Sequence, residues 1–534
     1  MDMRMGPPQT LQQWAHGAQQ FSGLGTFHRG VTTRSEMTQN YFDQGMRFIF
    51  AFNHDEATRS FAKAAELDPR CAACLWGVAL SLGPNYNMPM MAEARAKVGW
   101  AAVEKAKTLP ASPVERALIL ALGKRFDRAK PLDPASGPPR LDAYADAMKE
   151  VTERYPNDLD VQTLYAEALM NKNPWKLWTT DGKPGPDTNE IVAILERVLA
   201  KDANHPGANH YYIHAMEASP HPEKALAAAQ RLGDMMPAAG HLDHMPAHIF
   251  ERVGQYEASA EANRKGAAAD AAYYTKTTAP DYYPMYTAHN FEFLASSAAM
   301  EGRKAEAVKA AAKSRAAISD DLLIGMGGGP DWYVAYTYEA MLRFGLWDDA
   351  LTAPAPSAKL SGLMVAYLEA KATALAAKGR LDEADQVASA LDSAAAAAPG
   401  EYRCGQNAAK DCFAIASLRA HARVALARKD TDKGLELLRQ AVAHEDQLAY
   451  DEPSDAFFPT RHVLGAALMA AGKPAEAETV YREDLKRNAE NGWALYGLKT
   501  ALEAQGKTAE AADVERRFTE AWKYADITLT ASAY

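Results

Sequence analysis

Apolar and small residues recur along this chain at the offsets of paired helices, and hardly anywhere with the alternation of strands. In the segment 42–69 they fit a 34-residue frame at positions 8, 11, 20, 24, 27 and 32. The residues at these positions are Gly45, Phe48, Ala57, Phe61, Ala64 and Pro69. Small residues where two helices cross let the helices approach closely. The pattern therefore predicts an all-α chain.

The frame returns many times after this first segment. In LGAALMAAGKPAEAETVYREDL, residues Leu464 to Tyr481 occupy positions 7 to 24, with Gly472 in the turn. Aligning the turns, such as GQYEAS, GRKAEA and GRLDEA, predicts further repeats that begin near Pro206, Gly240, Ala288, Asp331, Val365, Ile415 and Gly492. With this period the chain resembles the tetratricopeptide repeat (TPR) superfamily over most of its length. The resemblance implies a right-handed superhelical solenoid of helix pairs with loop insertions, whose concave groove commonly holds a peptide.

The frame divides the chain into four segments. An irregular arm rich in Gly, Pro and Gln is expected at 1–37, and repeats with insertions at 38–205. Histidine-rich central repeats follow at 206–330, and further repeats with a cap at 331–534. Since 534 residues exceed one ordinary hydrophobic core, a fold that grows by stacking suits this length.

Charge and hydropathy exclude some classes of partner. The formal net charge is −10 and the basic residues are scattered, whereas binding of nucleic acid needs a concentrated positive face. No run approaches the roughly 18 apolar residues of a membrane span. The start, MDMRMGPPQT, lacks the apolar core of a signal peptide. A mature exported protein whose leader has been removed would lack it too.

The four cysteines form two close pairs, Cys71 with Cys74 and Cys404 with Cys412. Two local disulfides would suit an oxidising compartment, and four buried thiols are the alternative. A four-cysteine zinc site is disfavoured because the pairs lie far apart in the sequence. The compartment stays open, with a periplasmic or otherwise exported location favoured over the cytoplasm.

Histidine is concentrated in one stretch. Eight of the 14 histidines fall between His205 and Asn290, and two H-x3-H pairs place imidazoles one helical turn apart. The repeat frame puts His210 at position 5, His214 at 9, Glu217 at 12, and His241, His244 and His248 at 2, 5 and 9. It puts His289 at position 2 and Glu292 at 5. At about 100° per residue these positions lie roughly 130° from the packing face, on the side that lines the groove of tetratricopeptide proteins.

These residues predict a transition-metal site. The candidate ligands are His210, His214, His244, His248 and His289. Pro246 interrupts the second pair, so the helix is expected to begin near Met245 with His244 in the loop before it. Nitrogen-rich ligands favour copper, on one ion or on two adjacent ions. Glu217 and Glu292 could shift the site towards iron or zinc, orient the imidazoles, or act as general base.

Two insertions beside the histidines carry aromatic side chains. These residues, a candidate substrate-binding lid, are Trp175 and Trp178 in the first insertion and Tyr282, Tyr283 and Tyr286 in the second. Packing as loop staples is the alternative. A later acidic stretch, with Asp451, Glu452 and Asp455, is expected to be solvated.

The runs NHYYIHAMEAS, GHLDHMPAHIF and CAACLWG resemble a group of bacterial tetratricopeptide proteins, which implies the fold and no reaction. The leading hypothesis is a metal-dependent oxidoreductase acting on a small molecule in the groove. A zinc-dependent hydrolase or lyase, a non-catalytic peptide-binding scaffold, and a metal carrier or sensor are the alternatives. In the interpretation without a metal, the five histidines only cap helices, form hydrogen bonds across the groove or line a peptide channel.

Overall fold

The computed structural model describes residues 8–277, 279–280, 282–326 and 329–534, and the regular secondary structure of these residues is almost entirely helical. The prediction of an all-α fold of tetratricopeptide-like helix pairs is confirmed. Met1–Pro7 of the predicted arm, and Thr278 and Asp281 of the second aromatic insertion, lie outside the described residues. The chain forms two compact units, Met1–Pro246 with Ala268–Pro280 and Ala247–Ala267 with Asp281–Tyr534.

The first unit is built from short helices that pair with the next helix in the chain. They are α1 (Leu11–His16), α2 (Glu36–Phe50), α3 (His54–Leu67), α4 (Ala72–Leu82), α5 (Glu93–Ala106), α6 (Pro113–Gly123), α7 (Pro138–Arg154), α8 (Leu159–Met170), α9 (Thr188–Lys201), α10 (Pro206–Met216), α11 (Leu226–Leu232) and α12 (Gly240–His244). A 3-10 turn at Pro222–Ala225 leads into α11. The helices α2 and α3, α4 and α5, α6 and α7, α8 and α9, and α10 and α11 pack as pairs.

The second unit repeats this construction. Helices α13 (Pro246–Arg252) and α14 (Tyr256–Tyr274) contain two of the three points where the chain passes from one unit to the other. There follow α15 (Tyr283–Met300), α16 (Lys304–Ala317), α17 (Asp320–Gly325), α18 (Pro330–Tyr333), α19 (Tyr336–Arg343), α20 (Trp347–Thr352), α21 (Ser361–Ala377), α22 (Leu381–Ala397), α23 (Ala409–Ala427), α24 (Thr431–Glu445), α25 (Thr460–Ala470), α26 (Pro474–Arg487), α27 (Gly492–Ala504) and α28 (Thr508–Ala521). A hairpin of β1 (Arg403–Cys404) and β2 (Asn407–Ala408) precedes α23.

The turns inside the repeats follow the glycines that the sequence singles out. Six of these glycines adopt the left-handed conformation, with φ between 62° and 78°: Gly254, Gly302, Gly345, Gly379, Gly472 and Gly506. Only glycine takes this conformation without steric cost, which is why it ends a helix sharply. Lys429 has φ 68° at the corresponding turn between α23 and α24.

Two aromatic side chains show how closely the helices cross. A Cβ atom added to Gly45 or Gly77 would lie 2.6 or 2.4 Å from the ring of Phe61. In the second unit a Cβ on Gly465 or Gly497 would lie 2.4 or 2.2 Å from the ring of Tyr481. In both places a buried ring is held between a glycine of the preceding helix and a glycine of the following helix, so the same crossing is built from the same residue types in each unit.

The cysteines resolve into one disulfide and two thiols. Cys71 and Cys74 are bonded at the start of α4, whereas Cys404 and Cys412 are buried free thiols. Within the part of the chain that the structure describes, no helix combines the length and apolar character needed to cross a membrane.

A test of the glycine crossing is Gly77→Ala. The added methyl must displace the Phe61 ring, and such overpacking costs about 1–3 kcal/mol. Urea unfolding followed by circular dichroism should show this loss. Adding Phe61→Leu should lessen the harm of Gly77→Ala. Gly325→Ala is the control, since a Cβ there meets nothing within 4 Å. Equal stabilities of Gly77→Ala and the control would contradict the steric account.

His54 predicts an acid sensitivity of the first unit. Burial, followed by the charges of Arg95 and Arg125, lowers the pKa of His54 to about 3. In the unfolded chain His54 therefore binds a proton near pH 6.5, whereas in the folded chain it binds one only near pH 3. Stability is lost as the pH falls through this window, by about 1.4 kcal/mol per pH unit.

His54→Gln should remove this contribution, because glutamine does not titrate. The difference in unfolding free energy between about pH 6 and pH 4 should shrink by roughly 2.5 kcal/mol in the variant. His421→Gln, at a partly exposed histidine, serves as control. If His54→Gln and wild type lose the same stability on acidification, the assignment to His54 is wrong.

Candidate metal centre

Helix α10 presents two of the predicted ligands inside the first unit. The imidazole of His205 caps the helix by accepting the N–H of Ala208 at 3.1 Å, and Pro206 occupies its first position. His210 and His214 follow one turn apart, with ring centroids separated by 4.9 Å. Both imidazoles are fully buried, so α10 turns this pair away from solvent.

A third imidazole joins them from α12. The Nε2 atoms of His241 and His210 lie 3.2 Å apart, and the rings of His241 and His214 are 6.1 Å apart. One nitrogen from each of His210, His214 and His241 lies within 4.8 Å of the others. We call these residues the three-histidine group. His241 is absent from the predicted ligand set because the H-x3-H pattern selects His244 with His248. Its position 2 in the repeat frame, the same as that of His289, is the signal that could have identified it.

Oxygen acceptors fix how two of these imidazoles are oriented. His210 Nδ1 lies 2.6 Å from the carbonyl oxygen of Phe50, and His214 Nδ1 lies 3.0 Å from a carboxylate oxygen of Glu217. Because these oxygens can only accept, the neutral imidazoles carry their protons on Nδ1 and keep a lone pair on Nε2. Glu217 is buried beside His214, as expected of a carboxylate that orients a ligand.

Aromatic rings enclose the three-histidine group. The ring of Phe52 lies 4.5 Å from His210, 5.7 Å from His214 and 5.5 Å from His241. Phe52 has φ 52°, a conformation that a bulky side chain adopts only where the surroundings enforce it. Tyr86 and Trp175 lie 5.2 and 5.8 Å from His214. These rings give the imidazoles an apolar surrounding that limits access of water.

The second predicted pair is interrupted at Pro246. Helix α12 ends at His244 and α13 begins at Pro246, as the proline requires. His244 is the last residue of α12 and does not lie in a loop, contrary to the expectation from the sequence. Its ring lies 6.1 Å from that of His241 in the same unit.

His248 and His289 belong to the second unit. Their ring centroids lie 6.0 Å apart, and the ring of Phe293 is 5.2 Å from His248 and 5.8 Å from His289. Burial, with a smaller effect of His248, lowers the pKa of His289 to about 4. Its imidazole is therefore neutral near pH 7, which is the form that binds metal. Glu292 follows one turn later, with Oε2 3.6 Å from His289 Nδ1.

The expectation of a solvated acidic stretch is wrong. Asp451, Glu452 and Asp455 are all less than 10% exposed. The β1–β2 hairpin covers them, since the Gln406 N–H donates to Asp451 at 2.8 Å and the Asn407 amide donates to Asp455 at 2.7 Å. A run of carboxylates does not reveal partners that lie over 40 residues away.

Glu452 forms an ion pair with His248 Nδ1. Burial alone would raise the pKa of Glu452, but the nearby imidazole of His248 and the hydroxyl of Tyr450 bring it below its ordinary value. By contrast, burial raises the pKa of both Glu251 and Asp451 to about 7. Glu452 is therefore the carboxylate of this cluster that keeps its charge.

A cavity of about 170 Å³ opens beside His248 within the second unit. Its walls combine the carboxylates of Glu251 and Glu452 with the apolar side chains of Phe293 and Phe457. An apolar cavity of about 150 Å³ is enough to hold benzene in another protein. The cavity is therefore of a size for a small molecule.

The predicted lid residues lie in both units. The Trp178 indole donates to the carbonyl of Ala215 in α10 at 2.7 Å, and Trp175 flanks His214. In the second unit Tyr282 and Tyr283 lie 6.1 and 5.8 Å from Tyr286 at the start of α15. Their role as a lid over bound substrate stays a prediction.

Comparisons with known proteins give limited likenesses. No family model matches the chain. A segment of 90 residues, 17% of the chain, is 40% identical to cellulose synthase operon protein C of Xanthomonas axonopodis pv. citri (strain 306), and spans only 5% of that protein.

Two solved structures of helical-repeat proteins are similar over most of their length. A human IFIT1 dimer with m7Gppp-AAAA is 13% identical, with a TM-score of 0.33 over 92% of this chain and 91% of that one. The APC/C hetero-tetramer Cut9–Hcn1 is 12% identical, with a TM-score of 0.31 over 91% of this chain and 78% of that one.

Proposed function

We propose that this chain, a helical-repeat protein of the tetratricopeptide type, is a metal-dependent enzyme with a transition-metal centre. The three-histidine group carries the proposal. Three buried imidazoles offer converging nitrogens, and two of them are oriented by oxygen acceptors at Nδ1. A bound cation would take the place of the hydrogen bond that joins His210 Nε2 and His241 Nε2.

The spacing of the nitrogens suits a single ion. Two nitrogens bound to a tetrahedral ion at about 2.0–2.1 Å lie about 3.3 Å apart. The Nε2 atoms of His210 and His241 are 3.2 Å apart. Small movements of His214 would complete a site with three protein ligands and one open position, which is the arrangement of catalytic rather than structural sites.

Copper is the metal we favour. The group supplies three imidazole nitrogens, and imidazole suits copper, zinc, iron and nickel. Copper binds most tightly of these to a given nitrogen site. Zinc would instead support hydrolysis or a lyase reaction through a metal-bound water, with Glu217 or Glu292 as candidate base. A copper or iron ion would support oxidation of a small molecule.

A second ion is part of the proposal. In the second unit His248 and His289 lie close together beside carboxylates, and Glu452 is bound to one of them. His244 remains a ligand predicted from the sequence. The cavity beside His248 is of a size for a small-molecule substrate, which supports an enzyme over a protein that only stores or senses metal.

Metal analysis tests the proposal directly. Protein prepared without an affinity tag should contain roughly one or two transition-metal ions per chain. The analysis identifies the element, and a visible d–d band marks bound copper as copper(II). If no metal co-purifies and added copper, iron or zinc leaves the melting temperature unchanged, the metalloenzyme proposal falls and a peptide-binding scaffold remains.

His241→Ala tests the ligand that the sequence pattern did not select. Loss of one of three imidazoles should weaken metal binding by more than the roughly 10- to 100-fold typical of an outer-shell partner. Affinity is measured by competition with a chelator, and helicity by circular dichroism. His221→Ala in the same unit is the control, because its side chain is 61% exposed. Wild-type affinity in His241→Ala would remove His241 from the centre.

A further inference from the structure

A second cavity of the second unit has a volume of about 570 Å³. This volume lies in the range of roughly 300–1,000 Å³ that is typical of small-molecule sites. The wall is formed by the turn before α14 and its first residues, the residue after α15, the loop before α27, and the end of α28 with the two residues Lys523 and Tyr524 beyond it. No histidine lies among the described residues of this wall, so the cavity is separate in composition from the candidate metal ligands.

The basic side chains of the wall already have carboxylate partners. The pairs are Arg517 with Glu490, Arg516 with Asp513, and Lys523 with Glu520. All six side chains are more than a third exposed, so water screens their charges. These pairs leave no unbalanced positive charge to attract an anionic ligand into the cavity.

Glu301 differs from the other charged groups of the wall because it is buried. It is 6% exposed, and its Oε2 atom has no hydrogen-bond partner. The Nη1 atom of Arg303 lies 3.9 Å from Oε2, which is too far for a hydrogen bond. Arg303 is itself paired with Glu257 and Glu306. The carboxyl of Glu301 therefore lacks a donor that a ligand would supply.

The position of Glu301 at the end of α15 makes a negative charge there unfavourable. Glu301 is the C-cap of this helix, immediately before the left-handed Gly302 of the repeat turn. The free carbonyls at a helix C-terminus favour a cation and disfavour an anion. Burial, followed by the charge of Glu257, raises the pKa of Glu301 to about 8. A cation bound at this carboxyl would both ionise it and oppose the helix dipole.

An organic cation fits the cavity better than a metal ion. Among the described residues, Glu301 belongs to none of the groups of three converging metal ligands. The ring of Tyr524 is 47% exposed on the wall and already attracts Lys523, whose Nζ lies 5.0 Å from the ring centroid. An ammonium group has three N–H donors and no acceptor, which matches an acidic floor with an aromatic ring beside it.

We propose that this cavity binds a primary ammonium group, carried by a lysine side chain or by a free amine, with Glu301 as the carboxylate that receives it. On binding, Glu301 loses its proton to solvent and accepts an N–H of the ammonium. The alkyl chain of the ligand packs on Tyr524. This site uses none of the candidate metal ligands, so the inference stands whether or not the proposed metal centre does.

Calorimetric titration of the full chain with three small compounds tests the class of ligand. Nα-acetyl-lysine amide and n-butylamine carry the ammonium, whereas Nα-acetyl-norleucine amide has the same four-carbon side chain without it. We expect the lysine derivative to bind and the norleucine derivative not to bind. Equal binding of n-butylamine would identify a free amine as sufficient, and weaker binding would identify a lysine of a peptide. Equal affinities of all three compounds, or no binding by any, would overturn the proposal.

Glu301→Gln locates the binding in this cavity. Glutamine has nearly the same size but cannot ionise, so a charge-assisted hydrogen bond is lost. The dissociation constant for the lysine derivative should rise about 10- to 100-fold. Glu520→Gln is the matched control, because it makes the same change of charge on the same wall at a side chain that is 74% exposed. Circular dichroism checks that both variants are folded, and equal dissociation constants of the two would overturn the role of Glu301.

The pH dependence of binding gives a readout that needs no variant. The charged groups that act on Glu301 are Glu257 and Arg264 of α14 and Arg303 before α16, together with the exposed ion pairs of the wall. Because Glu301 has a pKa of about 8 and must lose its proton, the affinity of wild type should rise about tenfold from pH 6 to pH 7. The ammonium stays charged throughout this range. An affinity that is the same at the two pH values would overturn the proposal.

Discussion

The short distance at which two helices cross constrains how the rest of this chain packs. Phe61 and Tyr481 each fill the space between a glycine of the preceding helix and a glycine of the following helix, where a single methyl group would come within 2.2–2.6 Å of the ring. Protein interiors are packed densely enough that such a contact cannot be absorbed without cost. Because the packing face of each helix is filled in this way, the first helix of a repeat keeps another face for chemistry.

The histidines lie on that second face, and their burial makes them candidate ligands. Water hydrogen-bonds to an exposed imidazole, whereas a buried imidazole needs a partner in the protein. Each buried polar atom without one costs about 1–3 kcal/mol of stability. The first unit buries His210, His214 and His241 together under the ring of Phe52. It binds two of their Nδ1 atoms to oxygens and turns nitrogens towards a common point. His205 has a different role, since it caps the start of α10.

The repeat frame correctly predicted the features that depend on interactions between residues close together in the sequence. Helices α10, α12 and α27 begin at the predicted residues Pro206, Gly240 and Gly492. Turn glycines such as Gly302 and Gly379 have the left-handed conformation that their place in the frame requires. These features depend on backbone preferences and on side chains a few residues apart, so one sequence is enough to read them.

The candidate site was only partly accessible in this way. The spacing of His210 and His214 identified one face of a helix, but it favoured His244 over His241 as their neighbour. The charge run near Glu452 looked like solvated surface, and the hairpin that covers it is not visible as a pattern. A carbonyl such as that of Phe50, 160 residues before its imidazole partner, carries no signal in the sequence at all.

By itself, the sequence therefore determined the helix pairs, their turns and the concentration of imidazole on one stretch of the chain. Tertiary structure alone decided which imidazoles come together, which oxygens hold their Nδ1 atoms, and which carboxylate stays charged. The physical reason is the range of the interactions. Helix periodicity and left-handed glycines act over a few residues, whereas burial and ion pairing depend on groups that meet only after the repeats have stacked.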